Sequence, residues 1–229
     1  MSTALERLRD VVCEGIRNEL FNAYRARALF CEIAKHAKTL NDRSMGELFR
    51  FIQDTCVDAL TLSLVKIFDK GNDRNRTRSI SEALRLLKNR KDEFELRDRN
   101  SAIKKLSIRG IPLGQAAKDH GIILSMCTYI EDRVSEVEPT LRALKDHRDK
   151  RIAHNDSNVD FAELALPTWG EVNQLIQVTI DFLDMIGSPL LGSTDIIHGQ
   201  FVLAPNAEDI KMELQDLIKL IDLSSGAAC

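Results

Sequence analysis

The strongest constraint on this chain is a recurring helix-start signature. A hydroxyl residue followed three positions later by Glu occurs at Thr3 and Glu6, Ser44 and Glu47, Ser79 and Glu82, and Thr168 and Glu171. Such a hydroxyl accepts a hydrogen bond from the third helical amide, and the Glu returns one to the cap. Apolar residues at three- and four-residue steps surround these signatures. Leu8, Val12, Ile16, Leu20, Tyr24, Ala28, Cys31, Ala34 and Ala37 make one stripe, ending near Leu40. Leu48, Ile52, Cys56, Ala59, Leu60, Leu64 and Ile67 make a second, ending near Asp69. The polar break Asn41-Asp42-Arg43-Ser44 between them predicts an antiparallel helical hairpin.

Further along, Ser79 caps a short helix to about Asn89, and residues 90–110 are partly helical. The segment Gly110 to Gly114 is a break. One long helix is expected from about Ile122 to His154, with Val134, Val137, Leu141, Leu144, Arg148 and Ile152 on its apolar stripe. Thr168 starts another helix, which Gly187-Ser188-Pro189 is expected to stop. Phe201 to Ala204 is β-like with no evident partner strand, and Asn206 caps a final helix to about Leu223. Aromatics are 5% of the chain, with 11 Gly and 5 Pro. A sandwich or barrel would need more turn residues and aromatics. The expected fold is therefore all-α, a bundle of long antiparallel helices with short extra helices. A single domain over 1–229 is expected, with its core at about 10–190 and a C-terminal helical extension at about 190–223.

Net charge is −3, which does not advertise a polyanion partner. Its distribution is uneven. Residues 66–109 carry 14 basic and 7 acidic groups, while residues 110–229 carry 9 and 19. The basic middle can face nucleic-acid phosphates or the acidic third of its own fold. Cys13, Cys31, Cys56, Cys127 and Cys229 are scattered, without metal-ligand spacing. They read as reduced thiols of a cytoplasmic protein. The start MSTALERLRD has no secretory character, and no apolar run is long enough to span a bilayer.

Phosphate-loop, dinucleotide-binding, zinc-protease and nucleophile-elbow signatures are absent. No cofactor and no metal are expected. His36, His120 and His198 stand alone. The informative stretch is Leu144 to Asp156, LKDHRDKRIAHND. Arg148 falls on the apolar stripe, where a charge needs a partner, a groove or an interface. His147, Arg151 and His154 fall on the neighbouring face. Arg donors suit phosphate oxygens, and His moves protons near neutral pH. The Arg-to-His spacing alone is cheap, since Arg142 to His147 also satisfies it.

The phrase Arg148-Asp149-Lys150-Arg151-Ile152-Ala153-His154, closing a long helix, resembles the HEPN superfamily motif of Arg, a polar residue, a short spacer and His. Upstream, Leu64 to Asp69 with Ser79, Ile80 and Leu84 is similar to the AbiU-type HEPN-like branch, linked to abortive infection. The resemblance spans about residues 10–190. It implies a helical bundle that forms a homodimer with the motif helices facing each other. It further implies a metal-independent endoribonuclease, in phage defence or of the toxin-antitoxin kind, with an antitoxin or regulatory protein as a further partner. Arg148 would bind the scissile phosphate, His154 would act on the 2′-OH or leaving group, and Asp149 would orient its neighbours. Lys150, Arg151 and His147 are candidate RNA contacts. Some members of the superfamily are instead non-catalytic modules binding RNA, a nucleotide or a protein. On an ideal helix His154 lies about 120° around from Arg148, so their convergence needs a distorted helix end, long Arg reach or a partner subunit.

Overall fold

The caps form where the residues dictate. In the computed structural model, Thr3 and Glu6 close a reciprocal box at the start of α1 (Ala4–Arg9), with bonds of 2.8 and 3.1 Å. Thr168 and Glu171 do the same for α9 (Trp169–Phe182). Ser79 caps α5 (Ile80–Asn89) through the Glu82 amide. There the box is half made, because the Glu82 carboxylate goes to Arg7 and Arg85 instead. Described residues are 3–71, 77–111, 113, 118–153, 166–192, 196–197, 200–201 and 206–223.

The remaining helices are α2 (Asn18–Lys35), α3 (Ala37–Asp42), α4 (Gly46–Ile67), α6 (Arg99–Ile108), α7 (Asp119–Glu136), α8 (Glu138–His147) and α10 (Asn206–Leu223). A short 3-10 turn covers Lys91–Glu93. Among the described residues, three wider, π-helical segments continue α-helices: π1 (Asp10–Arg17), π2 (Arg148–Ala153) and π3 (Leu183–Leu191). The fold is all-α; among the described residues the strand structure is a two-residue antiparallel pair, Ile196–Ile197 with Gln200–Phe201. Of the β-like run Phe201 to Ala204, Phe201 pairs with Ile196, and residues 202–204 lie outside the described residues.

Three expected boundaries move. Ser44 does not cap α4. It sits at φ 56° just past α3, and Met45 N–H donates to Leu40 O at 2.9 Å while Ser44 N–H donates to Asn41 O at 3.0 Å. This is a left-handed C-terminal closure of the preceding helix, in the place glycine usually holds. The long helix from Ile122 to His154 is interrupted at Val137, and the next helix starts at Glu138 with Pro139 in its first turn. Proline is pre-organised for a first turn and cannot donate in a helix interior.

The third boundary concerns Gly187-Ser188-Pro189, which does not stop its helix. Pro189 has no N–H, and in a π-turn the carbonyl it would have served is five residues back, at Asp184. Lys105 Nζ supplies that donor, at 2.9 Å from Asp184 O. The helix runs on to Leu191 and closes at Gly192, φ 69°.

Contacts divide the chain into two compact units. The first comprises 1–20 and 64–202. Its core holds Leu8, Ile16, Ile80, Leu87, Ile123, Ile130, Leu175, Phe182 and Ile186, all nearly inaccessible. Helix α7 packs on α5, α6 and α9, and α8 packs on α9. The second unit comprises 21–63 and 203–229. Ile33, Leu40, Phe49, Leu214 and Ile218 form its core. Glu32, 2% exposed, binds Lys35, His36 and Gln215 there. No helix among the described residues is long and apolar enough to cross a membrane.

Candidate functional site

The Arg148 segment sits at a change of helix type. α8 buries Leu141, Leu144 and His147. At Arg148 the winding loosens into π2. His147 follows Leu141 and Leu144 at three-residue steps on the buried face of α8 and is 2% exposed. His147 is a core residue and not a surface contact for RNA. Arg148 is about one-third exposed, and its guanidinium pairs with the adjacent Asp149 carboxylate, Nε to Oδ1 at 2.7 Å and Nη2 to Oδ1 at 2.6 Å. Asp149 and Lys150 are exposed. The backbone of Arg151 lies in π2. His154 lies outside the described residues, as does the Arg151 side chain.

The pairing of Arg148 with its neighbour is chemically informative. A guanidinium held by a carboxylate on one edge keeps its other N–H groups directed elsewhere. Asp149 thus holds the cation without burying it. Ion pairs this exposed contribute little stability, about 0–1 kcal/mol. An Arg so placed remains open to a phosphate.

The basic middle segment behaves differently. Arg78 pairs with Asp10 at 2.8 Å and Lys66 with Glu19 at 2.9 Å. Lys88 meets Glu131, and Arg99 meets Asp119. Lys105 and Arg109 converge on Asp184 at 2.8 and 3.0 Å, and Arg109 lies over the Tyr129 ring. Arg133 adds an ion pair to Asp181 at 3.4 Å. Lys88, Arg99, Lys105 and Arg109 thus pair with acidic residues of the C-terminal half, while Lys66 and Arg78 pair with acidic residues near the N-terminus. Arg74 and Arg76 lie outside the described residues. The acidic partners Glu131, Asp181 and Asp184 are functional in the structural sense and were missed as single residues. Their signal was the complementary sign of the C-terminal half.

No metal-ligand group of three or more His, Cys, Asp or Glu occurs among the described residues. Burial pushes the Cys127 thiol up to about 12, so it is an inert core group.

An all-α bundle whose charged helix end carries Arg148 and Asp149 is the class that fold and geometry define. Residues 124–212 match the model of the HEPN_AbiU2 family, AbiU2, which supports a likeness of this segment to the AbiU-type HEPN-like branch. The match contains the whole Arg148-to-His154 phrase. It extends past Leu190, where the sequence resemblance found no counterpart, and does not reach the upstream Leu64-to-Leu84 motif. No curated protein and no solved structure matches the chain.

Proposed function

We propose that this HEPN-like protein is a metal-independent endoribonuclease acting in phage defence or toxin-type growth control. The observation that carries the reading is the family match over a phrase whose Arg148 is partly exposed, oriented by Asp149, and placed at the switch into a π-turn. π-Turns inside helices recur at functional sites.

In this chemistry the RNA 2′-OH loses its proton to a base and attacks the adjacent phosphorus. The bond from phosphorus to the 5′-oxygen breaks, and that oxygen takes a proton. The products are a 2′,3′-cyclic phosphate and a 5′-OH end. His154 is the proton-transfer group in this scheme. Arg148 offsets the charge that builds on the phosphorane oxygens. Lys150 and Arg151 lie beside the strand. Two copies of the chain, with motif helices facing, would line one cleft.

A second reading has its own support. Because Lys105 and Arg109 are largely buried and paired with Asp184, these two cations of the basic segment are turned away from RNA. That favours a non-catalytic module binding RNA, a nucleotide or a protein through the same helix end. The deciding experiment is incubation of a labelled RNA pool in EDTA with wild type and His154→Ala. Cleavage by wild type alone, leaving cyclic-phosphate ends, supports the enzyme. Equal cleavage by both proteins removes His154 from the mechanism.

A further inference from the structure

The second unit leaves four large apolar side chains in water. Leu48 and Phe51 of α4 are 52% and 70% exposed, and Leu217 and Leu220 of α10 are 49% and 63% exposed. Scattered singly, such residues would need no explanation. Contacts within the unit place all four along one seam.

Helices α2, α4 and α10 each give residues to the core of this unit: Ile33, Phe49, and Leu214 with Ile218. Both α4 and α10 anchor on α2. Gln53 donates to Phe30 O at 3.3 Å, and Gln215 donates to the Glu32 carboxylate at 2.8 Å. On α4, Gln53 therefore marks the flank toward α2, and Phe49 marks the core. At about 100° per residue the opposite flank carries Ile52, Leu48 and then Phe51, and this flank faces α10. On α10, Gln215 marks the flank toward α2, and Leu214 and Ile218 mark the core. The opposite flank carries Ile221, Leu217 and then Leu220, and it faces α4. The anchors Phe30 and Glu32 are two residues apart on α2. Phe51 lies two residues from Gln53, and Leu217 two from Gln215, so the four side chains also share one level, within about two turns. They line the outer seam between α4 and α10. Ile52 and Ile221, partly buried against the core, form its floor.

The rim of this seam is acidic. Past Phe51, the next positions round α4 are Glu47 and Asp54. On α10, Glu213 falls between Leu217 and Leu220, and Asp209 and Asp216 lie past Leu220. All five carboxylates are exposed, and Asp216 pairs with Lys219. Neighbouring cations are turned elsewhere. Lys211 lines a cavity with Tyr24 and Cys31 of α2, and Arg50 lines another with Ala37 and Asn41 of α3.

We propose that the α4–α10 seam docks a basic amphipathic helix of a partner protein. An apolar strip between two helices is what a third helix fills, with anchors at i, i+3, i+4 and i+7. Lys and Arg on the flanks of that helix meet the five carboxylates, which sets the partner's sign and its orientation. A second copy of this chain would lay one acidic rim on another. RNA and an anionic lipid surface carry the same sign as the rim. The inference stands apart from the RNA-directed reading and concerns a different face of the molecule.

The test uses the full-length protein and three labelled peptides of about 18 residues, long enough to form a helix. The first carries Leu at i, i+3, i+4 and i+7 with Lys and Arg elsewhere. The second has Glu in place of Lys and Arg, and the third shuffles the first so that no apolar face remains. Binding is read by anisotropy of the label. The first peptide should bind at least about 10-fold more tightly than either of the others. Phe51→Ser combined with Leu217→Ser should weaken it by about 10-fold or more. Asp54→Lys combined with Glu213→Lys should transfer the preference to the second peptide. Circular dichroism checks that the variants keep their helices. Equal binding of the first two peptides, unchanged affinity in the Phe51 and Leu217 variant, or no binding of any peptide would overturn the proposal. A wild-type dimer in sedimentation that Phe51→Ser dissociates would give the face to a second copy, and anionic vesicles bound through Phe51 would give it to a membrane. Either result overturns the proposal as well.

Discussion

Two π-turns in the first unit are built from the same backbone geometry and held in opposite ways. π3 is buried and clamped. Lys105 reaches both the backbone carbonyl and the carboxylate of Asp184, with side chains 18% and 13% exposed. Arg109 reinforces it, and the amides of Arg97 and Asp98 donate to Pro189 O. π2 carries Arg148, which pairs with the adjacent Asp149, 52% exposed. A widened turn leaves backbone groups that need partners. Where a neighbouring helix supplies them, the turn is structural. Where the partner is local and solvated, the side chains stay available for chemistry.

That contrast is broken most readily at Lys105. Lys105→Met removes a donor to a buried carbonyl and leaves Asp184 short of a cation. The expected loss is about 2–4 kcal/mol in urea unfolding. A loss below about 0.5 kcal/mol would show that π3 needs no clamp. Gly15 in π1 is the next largest. A Cβ there would meet Arg78 O at 2.7 Å, backbone that cannot swing away. Gly15→Ala should cost about 1–2 kcal/mol despite the better helix propensity of alanine.

The second unit provides a charge test of its own. Lys35, Gln215 and His36 hold the Glu32 carboxyl down to about 2 despite its burial. Its folded value is depressed, so its contribution is complete above the ordinary value of 4.5 and is lost as pH falls from there toward 2. Urea midpoints should decline over that window, and Glu32→Gln should flatten the decline. A profile unchanged by the substitution would remove Glu32 as the cause. Smaller still is Ser44→Gly, which relieves a left-handed φ of 56°. It should stabilise by about 0.5–1 kcal/mol in thermal or urea unfolding.

The legible part of the fold was its helix starts and its apolar stripes. Thr3, Ser79 and Thr168 cap as their spacing demands, and α5 ends at Asn89 as expected. These signals are local, so a single sequence carries them. The misread ends depend on distant partners. Gly187-Ser188-Pro189 reads as a stop until Lys105, some eighty residues upstream, donates to the orphaned carbonyl. Ser44 resembles a cap until the αL closure of α3 claims it. At the candidate site, the sequence located Arg148 and Asp149, and the structure pairs them. It could not show which of two neighbours the fold buries, since His147, three residues after Leu144, and Arg148, four after it, both fit a helical stripe; the structure buries His147 and leaves Arg148 partly exposed.

The most direct test of this contrast is one variant measured twice. Arg148→Ala should change urea stability by less than about 1 kcal/mol, because its ion pair is local and solvated. The same protein should lose RNA cleavage by more than about 100-fold in EDTA. Stability unchanged with cleavage lost is the result expected of a π-turn left open for chemistry. Cleavage undiminished, or stability lost by several kcal/mol, would contradict it.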